Sequence, residues 1–182
     1  EKLKESGYEI MVTREPGGTV IGNKIRDILL DSCHRNMDAR TEALLYAADR
    51  AQDIKENIKP ALKEGKIVLA DRYVDSSIVY QGYGRQLEVN MVKEVNKWVL
   101  GKFWPDLTIV LDLEVEKGLK RAREISLNSD RLEQEVVAFH QRVRNGFLDL
   151  AAQESRFQVL AADTTPEKLN SRIINIIKKR LL

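Results

Sequence analysis

A single cysteine, Cys33, stands in a chain of 182 residues. That excludes an internal disulfide and a cysteine-rich zinc site, and it fits a reducing compartment. Long apolar runs are missing too: nothing approaches the roughly 20 residues of a helical membrane span, and no segment has the pattern of a secretory signal. A dominant charge is also missing. Lys and Arg number 30 against 28 Asp and Glu, a net charge of +2, and the basic residues are dispersed, so nothing marks a nucleic-acid partner. The two histidines, His34 and His140, have no second histidine or cysteine at metal-ligand spacing. No internal repeat and no low-complexity linker divides the chain. An apolar content of 43% over 182 residues suits a single domain, 1–182, with one substantial core.

What is present is an alternation of two periodicities. Tyr8 to Thr13, Lys66 to Asp71, Leu107 to Leu113 and Phe157 to Ala161 are short runs rich in Ile, Val and Leu, as expected of parallel strands covered on both faces. Helical patterns lie between them. Val20 to Leu30 carries Ile21, Ile25, Ile28 and Leu29 on one face, and the last helix carries Leu169, Ile173, Ile176, Ile177 and Leu181. Ala39 to Glu64 is one long helical stretch in which Pro60 either kinks the helix or starts a second one. Glu1 to Gly7 reads as the last turn of a helix ending at a C-cap glycine. Strand–helix alternation with right-handed crossovers predicts a doubly wound, three-layer α/β domain around a parallel sheet.

Three segments carry chemistry. Thr13-Arg14-Glu15-Pro16-Gly17-Gly18-Thr19 links the first strand to a helix, where α/β folds bind ligands. Gly17 and Gly18 let a ligand approach the main chain, Pro16 stiffens the turn and Arg14 adds positive charge. Asp71-Arg72-Tyr73 closes the second strand at the corresponding sheet edge. There an aspartate can reach a metal–phosphate group, and an arginine can donate two parallel hydrogen bonds to phosphate. A structural Asp71–Arg72 pair that fixes a loop is the other reading of the same residues. Asp112 closes the third strand without a matching motif, and a capping role is expected for it.

Together with Ser76-Ser77-Ile78-Val79-Tyr80-Gln81-Gly82-Tyr83-Gly84-Arg85, these segments make the chain resemble the thymidylate kinases along essentially its whole length. The resemblance implies a nucleoside monophosphate kinase fold and the conversion of dTMP and ATP to dTDP and ADP with Mg²⁺, held by Asp71 directly or through water; the alternatives are another nucleoside monophosphate or deoxynucleoside kinase, or a non-catalytic nucleotide-binding or scaffold fragment. It puts Arg14, Arg26 and Arg72 near the acceptor phosphate and Glu15 near the sugar or the metal-bound phosphates. Base recognition falls to Tyr46 and Arg50, four apart on one helical face, where a ring can stack on the pyrimidine and a guanidinium can meet its carbonyl edge. The family usually has phenylalanine at the Tyr46 position. Ser77, Tyr80 and Gln81 would form the opposite wall, with the bulk of Tyr80 disfavouring a ribose 2′-hydroxyl.

The same resemblance implies a phosphate-closing lid at about 120–132, with Arg121, Arg123 and Arg131 as its cations. It also implies a cytoplasmic homodimer. One defining part is absent from the 182 residues: the donor-phosphate loop G-x-x-x-x-G-K-[ST]. Gly65-Lys66 is followed by Ile67, and Gly22-Asn23-Lys24 has no earlier glycine at the right spacing. The expectation is therefore an N-terminally truncated kinase, short of a strand, the loop and most of a helix, roughly 20–25 residues at typical element lengths.

Overall fold

The computed structural model describes residues 2–125 and 130–181. They fall into two compact units, one comprising Glu1–Trp104 and Asp130–Gln134 and the other the remaining described residues.

In the first unit, α1 (Lys2–Glu5) ends at Gly7, whose φ of 88° lies in the left-handed region where glycine carries no Cβ penalty. Next come β1 (Ile10–Arg14), α2 (Val20–Leu30) and α3 (Ala39–Asp53). The side chain of Thr19 caps α2 by accepting the Gly22 N–H at 2.8 Å, and Asp38 caps α3 by accepting from Arg40 and Thr41. A π-helical turn, Ile54–Ile58, joins α3 to α4 (Lys59–Lys63). The widened turn meets Pro60, which cannot donate to the carbonyl four residues back and whose ring crowds it, so the expected break falls just before the proline. β2 (Ile67–Asp71), α5 (Val74–Ser77), a second π-helical segment (Ile78–Gly84) and α6 (Val89–Leu100) complete the unit. Its apolar core includes Leu29, Ile54, Val74, Ile78, Val79 and Leu100.

β1 and β2 pair in parallel with Arg14 opposite Asp71, so both chemical segments leave the ladder at the same end. α3 packs against α2 and α6, yet what it buries is mostly polar: Glu42, Asp49, Arg50 and Asp53 with Tyr46 and Ala47. A helix that buries charge on its inner face needs hydrogen-bond and ion-pair partners there.

The second unit holds β3 (Thr108–Asp112), α7 (Val115–Ile125), α8 (Val137–Gln153), β4 (Phe157–Ala161) and α9 (Pro166–Leu181). β3 and β4 pair in parallel, Thr108 opposite Phe157 through Asp112 opposite Ala161. Phe139, Val143, Leu150, Phe157 and Ile177 are buried around them.

The structure is α/β with parallel strands, as the periodicity predicts, but the single three-layer sheet is not what these residues build. They form two separate two-stranded ladders, because among the described residues each strand has only one hydrogen-bonded neighbour. Nor are all strands covered on both faces: Val12 in β1 is 68% exposed. The capping role expected of Asp112 is also corrected. Its carboxylate accepts from Arg144 Nε at 2.6 Å and Nη2 at 3.0 Å, so it ties β3 to α8 as a two-pronged ion pair.

Candidate active site

The turn after β1 is held from one side by α3. Glu15 N–H donates to Asp71 O at 3.0 Å, and the Glu15–Pro16 peptide is cis. Gly17 and Gly18 take φ values of 128° and 81° that other residues rarely adopt. Arg26 from α2 reaches back to donate to Pro16 O at 2.8 Å, so its guanidinium is drawn to the turn expected to bind phosphate. Arg14 itself is exposed.

Glu15 points inward and is only 3% exposed. Its Oε2 receives Arg50 Nη2 at 2.5 Å, while Oε1 is buried without a protein donor. Burial raises the Glu15 carboxyl to about 7; Arg50 opposes the shift, and Asp49 and Asp53 add to it. Arg50 also donates from Nη2 to Ser77 Oγ at 3.0 Å and from Nη1 to Asn96 Oδ1. Its guanidinium lies 5.5 Å from the Tyr73 ring centre. Arg50, expected to read a base edge, is thus committed to Glu15, Ser77 and Asn96 and is 1% exposed. A buried carboxylate needs a cationic donor, and Arg50 is the one in reach.

At the end of β2, Asp71 and Arg72 are exposed. Arg72 has a left-handed φ of 65°, unusual for a residue with a Cβ. Its guanidinium carbon sits 5.0 Å from the Tyr80 ring centre. Tyr46 is buried, and burial pushes its hydroxyl pKa upward, with Glu42, Arg72, Arg131 and Tyr80 among the groups acting on it. Tyr46, Arg72 and Tyr80 all belong to the first unit, with the Arg72 guanidinium over the Tyr80 ring. Ser77 and Gln81 lie behind it, 3% and 1% exposed, with Ser77 on Arg50 and Gln81 Nε2 on Glu42 Oε1 at 2.9 Å.

The three arginines expected in a lid have different surroundings. Arg131 is buried, donating from Nη2 to Glu42 at 2.6 Å and from Nε to Leu29 O at 2.8 Å. A fully buried Glu42 requires positive donors, and Arg131 is one of them. Arg121 faces Ala162 O and Asp163 in the second unit, and Arg123 is exposed there. Residues 126–129 of the expected lid lie outside the described residues.

Among the described residues no group of three or more His, Cys, Asp or Glu side chains converges as a metal site. Asp71 stands alone as an exposed carboxylate at a strand end. A single carboxylate fits Mg²⁺ that arrives on nucleotide phosphates and keeps its own waters, not a cage built wholly of protein.

Sequence reasoning missed Glu42, Asp49, Asp53 and Asn57. A signal was available: Glu42, Tyr46 and Arg50 recur at i, i+4 and i+8, as do Asp49, Asp53 and Asn57, so each set lines one helical stripe.

The sequence pattern of the family described as "Thymidylate kinase" matches residues 1–173. The chain belongs to the thymidylate kinase family. It is 54% identical over 184 residues to a thymidylate kinase of Halothermothrix orenii, covering 100% of this chain and 88% of that protein. A thymidylate kinase of Lactobacillus helveticus is 50% identical, with 95% of this chain and 82% of the relative covered. One from Nitratidesulfovibrio vulgaris is 44% identical, at 98% and 86%. Family membership makes the chain a nucleotide kinase, and phosphoryl transfer of that kind needs positioned cations and no protein nucleophile.

Proposed function

We propose that the Arg14–Thr19 turn and the Asp71–Arg72 strand end form the acceptor site of a kinase that transfers the γ-phosphoryl group of ATP to dTMP, giving dTDP and ADP. The observation that carries this assignment is the register that sets Arg14 opposite Asp71, which brings an arginine-bearing glycine turn and an Asp-Arg pair to one end of one ladder. Arg14, Arg26 and Arg72 hold the monophosphate. Tyr46 stacks on the base, Tyr80 crowds C2′ of the sugar, and Ser77, Gln81 and Arg50 shape the pocket from behind. Asp71 would hold Mg²⁺ that arrives on the donor phosphates, directly or through water, and the ion would offset phosphate charge there. Arg121 and Arg123 are the proposed cations for the transferring phosphoryl group.

The donor-phosphate loop G-x-x-x-x-G-K-[ST] is not among the 182 residues.

A homodimer is proposed as well. α3 packs against α2 and α6, and all three leave apolar side chains exposed, among them Val20, Ile21, Leu44, Met91 and Trp98. The deciding experiment is a coupled ADP-release assay on the protein expressed from its complete reading frame. Use of dTMP far above GMP and AMP is expected, and equal use of the three would overturn the assignment.

A further inference from the structure

The acceptor turn rests on polar side chains of α3 and the π-helical turn after it. Asp49 and Asp53, one turn apart on α3, and Asn57 in the π-helical turn present three polar groups to it. Asp49 Oδ1 accepts the Gly17 N–H at 3.0 Å. Asp53 accepts the Thr13 hydroxyl at 2.9 Å and Asn57 Nδ2 at 2.6 Å, and the same Asn57 nitrogen donates to Gly18 O at 3.0 Å. Backbone atoms of two successive glycines are thereby gripped from one helical stripe.

The fit is too close for side chains on the turn. A Cβ on Gly18 would lie 2.6 Å from Thr13 Oγ1 and 3.0 Å from Asp53 Oδ1. One on Gly22 would lie 2.6 Å from Gly17 O and also strike Asp49 Oδ1. The grip extends to the functional arginine: Arg14 Nε lies 3.4 Å from where a Gly17 Cβ would be. Arg14 thus folds directly over the glycine whose amide Asp49 holds.

Asp49 is also a costly residue for folding. It is fully buried, its Oδ2 has no protein donor, and its neighbours include Asp53. A carboxylate in that setting loses hydration without full replacement. Stability alone would favour a neutral side chain there, whereas holding the Gly17 amide requires an acceptor.

We propose that Asp49, Asp53 and Asn57 are positioning residues for the acceptor phosphate, with Asp49 setting through Gly17 where the Arg14 guanidinium stands. The inference rests on reading the Arg14–Thr19 turn as the phosphate site.

Calorimetric titration of the protein from its complete reading frame with dTMP and with thymidine, which lacks the phosphate, tests it. Asp49→Ala should weaken dTMP by about tenfold, the loss of one charge-assisted hydrogen bond, and leave thymidine affinity and the unfolding temperature unreduced. Asp49→Asn keeps an oxygen for the Gly17 amide and should restore most of the dTMP affinity. Asn57→Ala, which removes the Gly18 contact and no charge, should show a smaller loss confined to dTMP. Unchanged dTMP binding in both alanine variants overturns the proposal, as does an equal loss for the two ligands, the mark of a general structural role. Wild-type protein that binds dTMP no better than thymidine would remove the phosphate reading of the turn itself, and this inference with it.

Discussion

Glu42 and Arg131, 89 positions apart in the chain, share a 2.6 Å ion pair in which the carboxylate has no exposed surface. Arg85 completes the arrangement with Nη2 at 3.0 Å from the same oxygen, and Gln81 donates to the other. One carboxylate of α3 thereby ties together the second π-helical segment and the stretch from Asp130 to Gln134. Burial alone would raise the Glu42 carboxyl, but Arg85, Gln81 and Arg131 outweigh it and hold it below the usual carboxylate range.

Glu42→Ala should therefore be among the most damaging single changes in the chain. It would leave Arg131 buried with its main acceptor gone, for which a loss of about 3–5 kcal/mol is typical. Urea unfolding of wild type and variant measures it directly, and a change under about 1 kcal/mol, the range of exposed pairs, would show that the network is dispensable. Because the Glu42 pKa is depressed on folding, its contribution is present above the ordinary carboxylate range and is lost as pH falls through the folded value.

Asp49 should have the opposite pH signature. Its carboxyl is raised to about 6 from an ordinary 3.8, mainly by burial, with the Gly17 amide opposing and Asp53 reinforcing. A raised folded pKa means that ionised Asp49 disfavours the folded state at neutral pH, and protonation relieves that cost as pH drops from above 6 toward 4. The stability difference between Asp49→Asn and wild type should accordingly favour the variant at pH 7 and shrink by pH 4.5. Thermal unfolding at several pH values reads this difference, and a pH-independent gap would contradict it.

Arg72 combines charge and backbone conformation, and two substitutions separate them. Arg72→Ala should lose at least about 2–3 kcal/mol of transition-state stabilisation toward dTMP, the range of a charge-assisted contact. Arg72→Gly should be equally impaired in kcat/KM yet more stable than the alanine variant by about 1 kcal/mol, since glycine accepts the left-handed φ of 65° without strain. Wild-type dTMP kinetics in either variant would remove Arg72 from the acceptor site.

Tyr80 is expected to act through bulk near the sugar. Tyr80→Ala should narrow the preference for dTMP over its ribose analogue, whereas Tyr80→Phe keeps the ring that lies 5.0 Å from Arg72 and should preserve it. Comparing kcat/KM for the two nucleotides in the three proteins settles the matter. An undiminished preference in Tyr80→Ala would place sugar discrimination elsewhere.

The sequence by itself determined the alternation of elements and the placing of the glycine turn and the Asp71–Arg72 pair at strand ends. Val20 to Leu30 is helical over the predicted span, Phe157 to Ala161 is a strand at its predicted limits, and Pro60 sits at the start of a second helix, α4, within the long helical stretch. These features are local: spacing of apolar residues, a Thr19 cap, a proline without an N–H. The Arg14–Thr19 turn and the Asp71–Arg72 strand end were legible for the same reason, since a glycine turn after a strand leaves its side chains at the sheet edge wherever the rest of the chain lies.

Only the tertiary structure decided the partners. Periodicity puts Arg50 and Tyr46 on one helical stripe but does not say that Glu15, 35 residues away, claims the Arg50 guanidinium, or that Asp53 reaches Thr13 across 40. Nor does it say that Arg131 turns inward to Glu42. A buried carboxylate must find donors within hydrogen-bond reach, and which donors are within reach depends on how α3, the β1 turn and the Asp130–Gln134 stretch pack together. Spacing along the chain carries no record of that choice.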